Sequence, residues 1–112
     1  MKKNKKLGFN KYQDKTIEYH FCKGGPVVEK TVHVLGLAGE AGEIVEKYKK
    51  HLRDGTPLDT LDLAKEISDV MFYCAAVSAD IGWSLQDIAE LGLAKLKDRK
   101  KRGVLSGNGD NR

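Results

Sequence analysis

Two pairs of acidic residues recur at one spacing: Glu40 and Glu43 in GLAGEAGEIVEKYKK, and Glu66 and Asp69 in KEISDVMFY. Residues three apart share a face of an α-helix, so each pair would present two carboxylates side by side. On a helical wheel Leu37, Ala41, Ile44, Tyr48 and Leu52 make one face of the first segment, with Glu40 at its margin and Glu43 and Lys47 just beyond. In the second, Leu63, Ile67, Val70, Cys74, Val77 and Ile81 make the face, with Glu66 at the margin and Asp69 and Tyr73 beyond. A lone E-x-x-E pair is usually a solvated helix edge. Two pairs placed alike suggest more: if the helices pack antiparallel through these faces, four carboxylates meet in one groove and repel unless a cation lies between them. Such a donor set, all oxygen, suits Mg²⁺, with Mn²⁺ as the alternative, and not zinc. Gly36, Gly39 and Gly42 are costly inside a helix by roughly 1 kcal/mol each. They point to close helix packing beside that site.

Other reactive side chains carry weaker signals. Cys22 and Cys74 are far apart with no ligand-spaced partner, which speaks for a reducing compartment and no zinc; Cys74, on the apolar face, should be a buried, inert thiol. His20, His33 and His51 have no partner at ligand spacing and are expected at the surface or in packing, and Trp83 is expected to cap the core. Tyr12 and Gln13 are placed to line a base pocket. The glycine-rich SGNGDNR lacks the Lys-Ser/Thr of a phosphate-binding P-loop, and reads as a flexible tail able to close on phosphates.

The elements that must position these groups are helical. VVEKTVHVLGL is the one β-branched run that resembles a strand. A short helix is expected over about Phe9 to Tyr19, broken by KGGP; a second from near Val28 to about Leu52, stopped by RDGTP; a third from Asp59 or Thr60 to Ile81, with Gly82 left-handed after it. Ser84 opens a fourth in the manner of a capping box with Asp87, ending at Gly103. Its core side is expected to be Leu85, Ile88, Ala89, Leu93 and Leu96, opposite a basic strip of Lys95, Arg99 and Arg102 that could meet phosphate.

The chain of 112 residues supports one domain, all-α and of four-helix-bundle type, divided as a basic arm at 1–8, a helical domain at 9–103 and a polar tail at 104–112. Its net charge of +4 is uneven, with Lys2, Lys3, Lys5 and Lys6 at one end and Lys95 to Arg102 near the other. That charge suits an anionic ligand, or weak non-specific binding to nucleic acid. No signal peptide or membrane span is indicated, so a cytoplasmic location is expected. One short helix and a long apolar stripe suggest a core completed by a second chain.

Glu40-x-x-Glu43, then 22 residues, then Glu66-x-x-Asp69, with the flanks GLAGEAGE and EISDVMFY and the ending KLKDRKKRGVLSGNGDNR, resembles the MazG-like all-α nucleoside triphosphate pyrophosphohydrolases from about Phe9 to Arg112. The resemblance implies that Glu40, Glu43, Glu66 and Asp69 hold Mg²⁺ and serve catalysis, that Lys47, Tyr73, Lys95 and Arg99 contact a triphosphate, and that the protein is a homodimer or a dimer of dimers. Gly92 departs from the pattern, since many relatives carry Asn there. Two rivals stand beside this reading. One is a pyrophosphatase of the same fold acting on another nucleotide, such as phosphoribosyl-ATP; the other is a non-catalytic basic helical dimer that binds nucleic acid or a protein. The intact acidic set disfavours the second, because a binding module gains nothing from four crowded carboxylates, and nucleic acid is not the expected partner.

Overall fold

The computed structural model describes residues 6–112; residues 1–5, most of the basic arm, lie outside the described region. The described chain is all-α: α1 Phe9–Ile17, α2 Pro26–Asp54, α3 Thr60–Asp80 and α4 Leu85–Arg102, with no strand among these residues. The β-branched run VVEKTVHVLGL lies wholly within α2. Pro26, read from the sequence as part of a breaker, instead opens α2: proline's fixed φ and missing amide hydrogen cost nothing in a first turn, and Gly25 at φ 85° turns the chain into it. Gly55, at φ 71°, ends α2.

The other caps follow the sequence closely. Asp59 Oδ1 accepts from the amides of Leu61 and Asp62 at 2.9 and 3.3 Å. After α3, Gly82 at φ 80° lets its own amide reach the Ala79 carbonyl while the Trp83 amide reaches that of Ser78, a Schellman motif. Ser84 Oγ accepts from the Asp87 amide at 3.1 Å and starts α4.

Pairs across the seam set α2 and α3 antiparallel: His33 meets Asp80, Gly36 meets Tyr73, and Lys47 meets Glu66. Among the helices, α2 packs on α3 alone, while α1 and α4 pack on α3 and on each other. The buried apolar centre is accordingly small, made of Ala75, Ala76 and Leu85. Several side chains assigned to apolar faces lie open instead: Ala41, Tyr48 and Leu52 on α2, Ile67 and the adjoining Ile81 on α3, and Leu93 and Leu96 on α4; Trp83 is also exposed and does not cap the core. For α2 the physical reason is that a 29-residue helix with one neighbour cannot cover its own circumference. The radius of gyration, 16.9 Å, exceeds the roughly 13 Å of a compact chain of this length.

The glycine expectation holds at one position of three. A methyl group on Gly36 would lie 2.4 Å from Cε1 of Tyr73, whereas one on Gly39 or Gly42 would meet nothing within 4 Å. Steps of three residues fall about 60° short of a full turn, so the glycine row rotates away from α3.

Gln13 fastens α1 to the rest. Its amide nitrogen donates to the carbonyls of Ala75 and Trp83 at 3.2 and 3.1 Å, and its oxygen accepts from the Leu85 amide at 3.0 Å. Asn10 Oδ1 accepts from the next amide, Gln86, at 3.2 Å, so with Ser84 the first three amides of α4 are all satisfied. Gln13 is therefore a buried structural group, and the base-pocket role expected for it is withdrawn. Gln13→Leu leaves a buried helix amide and two carbonyls without this partner and should destabilise the chain by about 1–3 kcal/mol, read as a lowered midpoint in urea.

Candidate functional site

The seam between α2 and α3 gathers the acidic residues. Oxygens of Glu40, Glu66 and Asp69 lie within 4.8 Å of one another. Glu40 and Glu66 are part-buried and Asp69 is exposed. Partial burial, and then the negative charges of Asp69, Glu66 and Glu43, push the Glu40 carboxyl above its usual range. Glu43 is exposed and stands outside the tight trio, contributing through its charge on Glu40. Crowded oxygen donors that resist ionising together fit a hard divalent cation. Lys47 Nζ is 3.9 Å from Glu66 Oε1, which sets a cation beside the trio. Tyr73, one turn after Asp69, lays its ring against Gly36 and beside His33.

Lys95 and Arg99 form a separate group, and α4 makes no contact with α2. Both bind Asp110 in the tail: Lys95 Nζ donates to its carboxylate, and the buried Arg99 donates to Oδ1 at 3.0 Å and to the backbone oxygen at 2.7 Å. Arg112 in turn donates to the carbonyls of Val104, Leu105 and Gly109. The tail thus needs no ligand to order it, contrary to the sequence reading, because its own acid and base supply the contacts. Gly92, one turn before Lys95 on α4, has open space where a Cβ would project.

Hydrogen bonds to Lys95 and then Arg99 hold the Asp110 carboxyl below its usual range. A depressed acid contributes only while ionised, so the tail should stay closed at neutral pH and open as pH falls below the ordinary aspartate value of about 3.9 and on through Asp110's own lower value. Asp110→Ala should open it at every pH, with faster tryptic cleavage after Arg102 and unchanged helical circular dichroism as the readout.

The histidines depart from expectation. His33 is buried and its Nδ1 lies 2.6 Å from Asp80 Oδ2; Glu29, four residues earlier, approaches both His33 and His20. The sequence carries this signal as an i, i+4 pair of acid and histidine, Glu29 and His33, which share a face of α2. His51 Nδ1 meets the carbonyl of Thr56 at 2.7 Å, closing the end of α2. Cys74 is part-buried, and burial pushes its thiol upward, in keeping with an inert group.

Tyr12 borders a cleft of about 190 Å³ lined also by Leu7, Gly8, Phe9 and Met71, which sequence reasoning reached only at Tyr12. Burial, then Cys74 and Asp69, raise the Tyr12 phenol. No helix among the described residues is long and apolar enough to cross a membrane.

Comparison with known proteins agrees with this geometry. Residues 29–104, spanning both acidic pairs and most of α2 through α4, match the model of the MazG nucleotide pyrophosphohydrolase domain. The Gene 37 protein of Mycobacterium phage L5 is 45% identical over 82 residues, 70% of this chain and 72% of that protein. No solved structure matches significantly.

Proposed function

The chain belongs to the MazG nucleotide pyrophosphohydrolase family, and from that premise we propose that it hydrolyses a nucleoside or deoxynucleoside triphosphate between the α and β phosphorus atoms. The products are a monophosphate and pyrophosphate. The observation that carries this reading is the convergence of Glu40, Glu66 and Asp69 from two helices, with Glu40 held above its usual range by its neighbours.

Glu40, Glu43, Glu66 and Asp69 would hold Mg²⁺, or Mn²⁺ in its place. The bound ion would polarise the α-phosphoryl oxygen, neutralise charge on the departing pyrophosphate and acidify the attacking water. The chain's own groups do the remainder. One carboxylate of the set accepts the proton of the attacking water. Lys47, beside Glu66, meets a phosphate oxygen and holds the chain of phosphates for in-line attack. Tyr73 packs against Gly36 and borders the α-phosphate side of the groove. The base enters the cleft of Phe9, Tyr12 and Met71, whose apolar lining suits a planar ring. Lys95 and Arg99 would exchange the Asp110 carboxylate for the β and γ phosphates, which releases the tail at 104–112 from α4.

The test is product analysis with a panel of ribo- and deoxyribonucleoside triphosphates, with Mg²⁺ and with excess chelator. Monophosphate and pyrophosphate formed only with metal would support the assignment; intact nucleotides from folded, Mg²⁺-supplied protein would overturn it.

The uncovered face of α2 fits a second copy of this chain. Val27, Val34, Val45 and Leu52 are all exposed and recur along one line of the helix. A homodimer, or a dimer of such dimers, would bury that line and complete the core. Light scattering at micromolar concentration should give at least twice the chain mass of 12.4 kDa. A monomer would sink this part of the reading.

A further inference from the structure

We propose that His20, Glu29 and His33 form a second metal site, of the zinc class, with Asp80 orienting His33. One donor atom from each of the three lies within 4.8 Å of the others. They come from different places: Glu29 and His33 are one turn apart on α2, and His20 lies in the connection between α1 and α2.

The hydrogen-bond arithmetic favours a cation at this point. Asp80 Oδ2 lies 2.6 Å from His33 Nδ1, and with the ring's hydrogen on that nitrogen Nε2 offers a lone pair. This lone pair faces Glu29 Oε1 at 3.6 Å, and His20 Nδ1 faces the same oxygen at 3.7 Å. Both separations are too long for a hydrogen bond. They are close to the edge of a tetrahedron with metal bonds of about 2.0–2.1 Å, which is roughly 3.4 Å. His20 Nε2, the ring nitrogen on the far side from Glu29, is buried and finds no hydrogen-bond partner among the described residues.

Chemistry and charge agree. Two imidazole nitrogens and one carboxylate oxygen are the donors of zinc and its first-row neighbours and a poor cage for Mg²⁺. A carboxylate on the far nitrogen of a ligating histidine fixes its tautomer and strengthens the donor. Glu29 and Asp80 bring two carboxylates to His33, and His20 and His33 lie against the rings of Phe72 and Tyr73; a divalent ion would balance the acids' charge. The site is distinct from the acidic trio, because His33 precedes Glu40 by seven residues, about 10 Å along the helix. Its effect is mechanical: α1 and α2 share no helix contact, and the ion would fasten their connection to α2 and, through Asp80, to the end of α3.

The test titrates Co²⁺ and then Zn²⁺ into the full chain with Mg²⁺ in excess, reading visible absorption, calorimetry and the thermal midpoint. We expect one additional equivalent per chain, tetrahedral cobalt bands and a midpoint raised by Zn²⁺. His20→Gln and Glu29→Gln, neither of which removes the buried His33, should abolish the bands and the zinc-dependent shift. Asp80→Asn should weaken binding by about 10–100-fold, and Glu66→Gln should leave it intact. Absence of the additional equivalent in folded wild-type protein overturns the proposal. So does binding that survives His20→Gln and Glu29→Gln but is lost in Glu66→Gln, which would place the ion among the acidic trio.

Discussion

Glu66→Gln should all but abolish metal-dependent triphosphate hydrolysis while leaving the helical spectrum unchanged. Glu66 is the most connected member of the site: its oxygen belongs to the trio with Glu40 and Asp69, its charge helps to raise Glu40, and it meets Lys47. Losing a partner outside the ligand shell of a metal typically costs about 10–100-fold. A direct ligand should cost more, and Glu43→Gln should follow the same course. The stability of the metal-free protein should move the other way. A carboxyl whose folded value is raised stabilises the folded state while protonated, below the ordinary glutamate value, and that contribution is lost as pH rises through the raised value. At neutral pH the charged trio therefore opposes folding, so removing one of its charges should raise the melting temperature without metal. Added Mg²⁺ should raise the wild-type midpoint more than that of the variant. Full turnover in both Glu66→Gln and Glu43→Gln would remove the acidic groove from the mechanism.

Gly36→Ala should be the most damaging single methyl group that can be added to α2. The new carbon would meet Cε1 and Cζ of Tyr73 at 2.4 Å and Cδ1 at 2.8 Å, so the whole ring must shift. That ring packs edge-on to Phe72 and lies beside His33, and it follows Asp69 by one turn. Overpacking of this kind costs about 1–3 kcal/mol, against a gain of at most roughly 1 kcal/mol from replacing a helical glycine. A fall in kcat beyond what the lost stability explains would follow from the displaced α2–α3 seam. Gly92→Ala is the control: its methyl group meets nothing within 4 Å, so it should gain stability by up to about 1 kcal/mol. A Gly36→Ala protein with wild-type stability and turnover would show that the seam yields without cost.

The sequence by itself determined what depends on near neighbours along the chain. Asp59, Gly82, Ser84 and Gly103 marked helix ends because caps and left-handed glycines act within a few residues. The two acidic pairs were legible because helical spacing puts residues three apart on one face, whatever the helix packs against. What depends on distant partners was decided by the tertiary structure. Gln13 became a clamp because three backbone groups 62 to 72 residues away converge on it. The tail is held because Asp110 reaches Lys95 and Arg99 on α4. Leu52 and Leu93 stayed exposed because their apolar faces find no neighbour within the chain. His20 and Asp80 joined the i, i+4 pair of Glu29 and His33 because helix packing, and not residue spacing, brings a loop and two helix ends to one point.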